Sequence, residues 1–247
     1  MDPREYELMY QVEDRHWWYK GMETITRTML NRWVQISNPR ILDAGCGTGA
    51  AMTTYLAEYG KVTGVDLYPQ ALEFCRKRNA PRLARASVLN LPFAPASFEL
   101  VTSFDVLYER AVSSEGTALD EFFRVLSAGG YILLRLPAYD WLRGKHDERV
   151  HTNRRYTKRL VKELLEQSGF AVEHLSYANT FLFPLAAAKR LSERIFPPKE
   201  SHSDLSLNAG GFNSILKNIL ASEAPFAAQT SLPYGLSVFA VGRKRKV

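Results

Sequence analysis

An α/β fold on a mainly parallel sheet is expected from three features of this chain. Short apolar runs alternate with helical patterns along most of its length. Seven of the runs are strand-like, at residues 40–44, 61–65, 82–86, 98–104, 130–136, 170–177 and 236–242. The first run ends in a glycine-laced turn that leads straight into a helical pattern. Strands joined by helical crossovers pair in parallel and are covered on both faces.

The elements follow from spacing and punctuation. Residues 1–37 read as helix, with Ile25, Met29 and Trp33 four apart. Leu119, Phe122, Phe123 and Leu126 recur at helical spacing, and Gly129 and Gly130 follow the end of that pattern. Thr157 is suited to cap a helix carrying Leu160, Val161, Leu164 and Leu165, which Gly169 stops. Residues 178–231 interrupt the last two strands. They hold the apolar run "NTFLFPLAAAKRLSERIF", a Pro/Ser/His-rich loop from Pro197 to Ser206, and a helical pattern over 211–222. The expected organisation is a helical lid at 1–37, a core from 38–177 plus 232–247, and a helical insert or cap at 178–231.

Bulk properties exclude several classes. A chain of 247 residues with 46% hydrophobic and 23% charged residues has ample core for one large domain. The net charge of +6 suits an anionic partner, but no basic stripe with interleaved aromatics supports nucleic-acid binding. The tail "GRKRKV" is the dense basic run, either a solvated terminus or a contact with an acidic membrane surface. Cys46 and Cys75 fit neither a disulfide framework nor a metal pair, and the five histidines lack ligand spacing, so no metal is expected. The charged N-terminus lacks a signal-peptide core, and no run approaches a membrane span. A cytoplasmic protein, monomer or homodimer, is expected, with peripheral membrane contact left open.

The chemistry is announced by "ILDAGCGTG", residues 41–49, and "VTGVDLYPQAL", residues 62–72. Glycines at a strand-to-helix turn let the backbone approach a ligand closely. The order is Asp43-x-Gly45-x-Gly47-x-Gly49, and Asp66 ends the next strand, where a carboxylate can accept from both ribose hydroxyls. The spacing does not suit a dinucleotide pyrophosphate, which disfavours a nicotinamide oxidoreductase, and there is no P-loop lysine.

These segments resemble motif I and the acidic strand end of class I S-adenosylmethionine-dependent methyltransferases. The likeness continues through "LPFAPASFELVTSFDVLYE", "ALDEFFRVLSAGGYILLRLP" and "LVKELLEQSGFAVEHLSY", landmarks similar to the type 11 small-molecule enzymes. It covers about residues 40–177, and "YGLSVFAVGRK" fits the antiparallel last strand. The resemblance implies a Rossmann-like seven-stranded sheet with helices on both faces, and S-adenosylmethionine as cofactor. It implies that Gly45, Cys46, Gly47 and Gly49 turn around the methionine part, that Asp43 orients its amino group, that Asp66 holds the ribose, and that Leu67 packs on the adenine. Family members often carry Asp four residues before "LPF"; here Ser87 stands there, beside Val88, so the adenine contact is weaker or made by backbone. Phe104 and Asp105 would border the methyl group.

The acceptor side of such a sheet is built from loops at the carboxyl ends of its strands. After the fifth strand, "PAYDWLRGKHDERVHTNRRYT" concentrates polar and aromatic residues. The candidate base is His146, oriented by Asp147, with Tyr108 a further catalytic candidate. Tyr139, His151, Arg154, Arg155 and Tyr156 are acceptor-binding candidates, with an arginine gripping an anion. The alternative for this loop is a solvated, salt-bridged connector. "EDRHWWYKG", residues 13–21, resembles an N-terminal signature of a methyltransferase subgroup linked to cell-envelope glycans and lipids. Two readings stand for it: Trp17 and Trp18 as core packing, or a lid in which Trp17 meets cofactor and His16 and Tyr19 meet acceptor. Glu109 follows "DVLY" where relatives commonly show His. The expected activity is methyl transfer to a small or lipid-linked acceptor, anionic and partly apolar. The rivals are a non-catalytic S-adenosylmethionine-binding protein and an RNA methyltransferase.

Overall fold

The computed structural model describes residues 3–144, 152–195 and 210–245. Its centre is a seven-stranded sheet. The strands are β1 (Arg40–Ala44), β2 (Lys61–Asp66), β3 (Leu83–Arg85), β4 (Phe98–Phe104), β5 (Leu126–Pro137), β6 (Ala171–Ala178) and β7 (Ser237–Arg243). The order is β3-β2-β1-β4-β5-β7-β6. β1, β2, β3, β4 and β5 pair in parallel, and β7 runs antiparallel to both β5 and β6. β5 is longer than expected. It begins at Leu126, straight after the preceding helix, and a register shift between Phe98 and Leu100 absorbs the extra residues.

Helices cover both faces. They are α1 (Pro3–Val12), α2 (Trp17–Trp33), α3 (Ala50–Thr53), α4 (Pro69–Lys77), α5 (Glu115–Val125), α6 (Lys158–Gln167), α7 (Phe183–Ile195), α8 (Asn213–Ser222) and α9 (Ala224–Gln229). Local chemistry sets several ends. Ser114 caps α5 by accepting from Thr117 N–H, and Thr157 caps α6 by accepting from Leu160 N–H. α3 is only one turn long, shorter than the helical pattern suggests.

One face is covered by α5 and α6, with Phe122, Val125, Val161 and Leu165 against Ile132 and Val101. The other is covered by α2, α8 and α9. Met22, Ile25, Met29 and Leu30 of α2 are fully buried against Ile41, Leu100, Leu133 and Phe239. Each such side chain contributes about 1.5–3 kcal/mol, so residues 17–33 are a layer of the core. The helix expected over 1–37 is broken at residues 13–16, and α1 alone hangs over the carboxyl ends of the strands. Trp33 stacks on His174 at 4.8 Å and donates to Ala228 O, tying α2 to the insert helix α9. Among the described residues no helix is long and apolar enough to cross a membrane. The expected loop from Pro197 to Ser206 lies outside the described residues.

Candidate active site

The carboxyl ends of β1, β2, β4 and β5 open into one cavity of about 590 Å³. Its floor begins at the glycine turn. Gly45 has φ +83°, and a Cβ there would lie 2.2 Å from Val106 Cγ2. Gly47 has φ +54°, and its missing Cβ leaves open space, with Met9 Cε the nearest atom at 3.8 Å. The turn therefore needs glycine for conformation at both positions and for clearance at Gly45.

Asp66 closes β2 and faces the cavity. Its carboxylate accepts Gly47 N–H at 2.9 Å and Tyr68 N–H at 3.0 Å. Burial raises its pKa, and the backbone donors pull it back. A carboxylate offers about four acceptor positions, so capacity remains on the cavity side. Leu67, Ser87 and Val88 continue the wall past Asp66. A fixed carboxylate beside an open glycine turn and an apolar slot fits the ribose, amino-acid and adenine parts of S-adenosylmethionine.

The sequence-derived positions divide when placed in space. Gly45, Gly47, Asp66, Leu67, Ser87, Val88, Phe104, Tyr108, His16, Trp17, Tyr19 and Arg155 all line the cavity. Asp43, Cys46 and Gly49 are not among the residues that line it. Asp43 is 2% exposed and accepts from the Thr102 hydroxyl at 2.9 Å, and burial pushes its carboxyl up to about 7. Cys46 Sγ lies 3.7 Å from Cys75 Sγ, with Gly49 against Cys75. The side chains of Asp43 and Cys46 thus pack into the core and not into the cavity, and Gly49, at φ +83°, forms the end of the turn itself.

Three acceptor candidates point elsewhere. Tyr156 is fully buried, and its hydroxyl donates to Leu107 O or Glu115 at 3.1 Å, a packing role under the loop after β4. Arg154 pairs with Glu115 at 2.9 Å outside the cavity. Tyr139 stacks on Tyr177 at 5.1 Å, in an aromatic cluster with Trp141 and Phe183 that backs the wall. His146, Asp147 and His151 lie outside the described residues.

Several lining groups carried no clear signal. Arg135 of β5 interrupts the apolar run "LLRLP". It pairs with Asp105 at 2.7 Å, and its guanidinium carbon lies 5.0 Å from the Trp18 ring and 5.1 Å from the Phe104 ring. A charge inside an otherwise buried strand was the available clue. Glu109 also lines the cavity, and burial raises its carboxyl to about 7. Tyr6 and Met9 of α1 roof the ribose end, with the Tyr6 ring 6.1 Å from that of Tyr68. α1 is fastened by Glu13, which is 6% exposed, accepts from the Thr48 hydroxyl, and pairs with Arg78 at 3.0 Å. At the opposite end the insert supplies Leu182, Leu185, Lys189 and Arg190.

The sheet order and the glycine turn give a Rossmann-like fold shared with solved methyltransferases. Residues 42–134 match the family model described as a methyltransferase domain, type 11. The chain is 33% identical to a malonyl-(acyl-carrier protein) O-methyltransferase of Enterobacter lignolyticus over 147 residues, which is 56% of this chain and 57% of that protein. It is 33% identical over 105 residues to a phthiotriol/phenolphthiotriol dimycocerosates methyltransferase of Mycobacterium ulcerans, 40% of this chain and 38% of the relative. The chain thus spans about half the length, or less, of these curated relatives. A geranyl diphosphate methyltransferase solved with geranyl diphosphate and sinefungin shares the fold with a TM-score of 0.60, at 14% identity, over 88% of this chain and 77% of that one.

Proposed function

We propose that this chain transfers a methyl group from S-adenosylmethionine to an acceptor that is anionic and partly apolar. The supporting observation is continuity: Asp66 and the insert residues Leu185 and Lys189 line one cavity, so a cofactor at one end meets an acceptor at the other. Bound S-adenosylmethionine supplies a methyl on a good leaving group, so alignment and exclusion of water do most of the work. Phe104 and Trp18, clamped on Arg135, give a rigid wall near the middle of the cavity. Arg155, Lys189 and Arg190 bring positive charge to the acceptor end, while Leu182, Ala186 and Leu216 offer apolar surface. Leu185 is 68% exposed as well as lining the cavity, and Phe212 and Ile215 flank Leu216 at 66% and 53% exposure. An alkyl chain longer than the cavity can leave along that surface, which supports a lipid-like acceptor or one presented at a membrane. The relatives named for malonyl-(acyl-carrier protein) and for dimycocerosates act on acyl or lipid bodies, in line with this reading. If the attacked atom must lose a proton, Glu109 is the candidate base, since its pKa of about 7 suits proton acceptance near neutrality.

The test is methyl uptake from labelled S-adenosylmethionine. Hydroxy fatty acids, acyl thioesters, cationic amines and transfer RNA are offered in parallel. Turnover is expected with an acid or acyl compound, and Arg155→Leu is expected to raise its KM without altering cofactor affinity. Turnover confined to amines or to RNA would refute the acceptor class. Cofactor binding with no turnover of any compound would favour a non-catalytic binder.

A further inference from the structure

We infer that Asn179 is a hydrogen-bonding anchor for the acceptor, receiving an O–H or N–H group on its side-chain oxygen. The inference rests on the methyl-transfer reading and deepens it. Asn179 follows β6 directly and lines the cavity with Arg135, Pro137, Leu236 and Ser237. It is 1% exposed, and among the described residues its buried Oδ1 has no hydrogen-bond partner. A buried amide oxygen without a donor costs about 1–3 kcal/mol, so an orphan on a residue that lines the cavity needs an explanation, and a small turn of the amide would bring this oxygen to a ligand donor.

The backbone around it is held at some cost. Asn179 has φ +60°, in the left-handed region. A single carboxylate fixes this conformation. Glu223, which is 0% exposed, accepts the N–H of Asn179, that of Thr180 at 2.8 Å and that of Phe181 at 3.2 Å. The Thr180 hydroxyl donates to Tyr234 O at 2.6 Å. Three amides locked on one buried acid aim the next side chain with little freedom. Strain of this kind, over-determined by its surroundings, is characteristic of sites that hold a ligand.

Position in the sheet selects the acceptor over the cofactor. Ala178 is paired with Ser237, and Pro137 is paired with the same Ser237 on its other side. Asn179 therefore stands at the end of the β5-β7-β6 half of the sheet. Asp66 and the glycine turn stand at the ends of β2 and β1, in the other half. A donor-bearing acceptor of the proposed class is a hydroxylated or amino-bearing chain with an anionic group.

The experiment uses 10-hydroxydecanoate and 10-methoxydecanoate, in which a methyl group replaces the donor hydrogen. Binding to the full chain is measured by calorimetry, with and without S-adenosylhomocysteine. The hydroxy acid should bind about tenfold more tightly than the methoxy acid. Asn179→Gly tolerates the positive φ and deletes only the amide; it should abolish that preference. Asn179→Asp keeps an acceptor oxygen and should restore at least part of it. Equal affinities in the unsubstituted protein, including no measurable binding of either acid, overturn the inference. So does a preference that survives Asn179→Gly. S-adenosylhomocysteine affinity is read separately: its absence would strike the methyl-transfer reading, while intact cofactor binding with no donor preference would strike the role of Asn179 alone.

Discussion

Replacing Asp66 with asparagine tests the cofactor end most directly. The carboxylate accepts from Gly47 and Tyr68 N–H at 2.9 and 3.0 Å, one donor on each oxygen. Asparagine preserves the shape but turns one oxygen into an amino group. If its remaining oxygen stays on Tyr68, the amino group faces Gly47 N–H, donor against donor. The glycine turn is then pushed from its position, and a buried N–H loses its partner at about 1–3 kcal/mol. The charge on the ribose acceptor is lost as well, and hydrogen bonds to charged groups contribute about 1.5–3 kcal/mol. Because part of the first cost falls on the unbound protein, the binding loss is taken from the second. It corresponds to roughly ten- to a hundredfold weaker affinity. The assay is calorimetry with S-adenosylhomocysteine, with circular dichroism to verify folding. A folded Asp66→Asn variant that binds within twofold of the unsubstituted protein would refute the assignment of this carboxylate to the cofactor.

Three further outcomes are expected. Gly45→Ala sets a methyl 2.2 Å from Val106 Cγ2 at a φ of +83°, so it should lower the melting temperature and weaken cofactor binding more than Gly47→Ala, whose nearest neighbour is 3.8 Å away; equal effects would contradict the clearance argument. Burial raises the Asp43 carboxyl from 3.8 to about 7, so its contribution to stability is full below about pH 3.8 and is lost as pH rises through about 7. The melting temperature should therefore fall more between pH 5.5 and 8 in the unsubstituted protein than in Asp43→Asn, and parallel curves would count against the buried acid. Glu13 fastens α1 through Thr48 and Arg78, so Glu13→Ala should speed proteolytic cleavage within residues 3–16 in the cofactor-free protein, with S-adenosylhomocysteine slowing it; identical digestion of both proteins would mean that Glu13 does not hold the helix down.

The pattern of what could be read beforehand has a physical basis. The sheet was legible because strands buried on both faces leave continuous apolar runs, and their turns need glycine: Gly45 and Gly47 are dictated by backbone dihedrals that other residues resist. Asp66 stood out because an acid closes an apolar run there, and the structure sets it against the glycine turn. Direction was harder to read. Arg154 and Arg155 are adjacent, yet one pairs with Glu115 outside the cavity and the other lines it, a difference in direction that adjacency in the chain does not encode. Tyr156 carries a functional-looking hydroxyl that is spent on Leu107 O and Glu115, a tertiary pairing across more than forty residues, which local spacing does not encode. Asn179 and Glu223 are likewise joined only in space. What the sequence does expose is the mismatch between residue and surroundings: an arginine in "LLRLP", a glutamate after "DVLY", an asparagine just past a strand. Burying such groups costs free energy unless each finds a partner. Arg135 finds Asp105 and two rings, and Glu223 finds three amides. Asn179 Oδ1 finds none among the described residues. Just past the end of a strand, a polar group that the fold leaves unsatisfied on a cavity-lining residue points to a ligand, and under the proposed function that criterion marks an acceptor end that motif spacing does not.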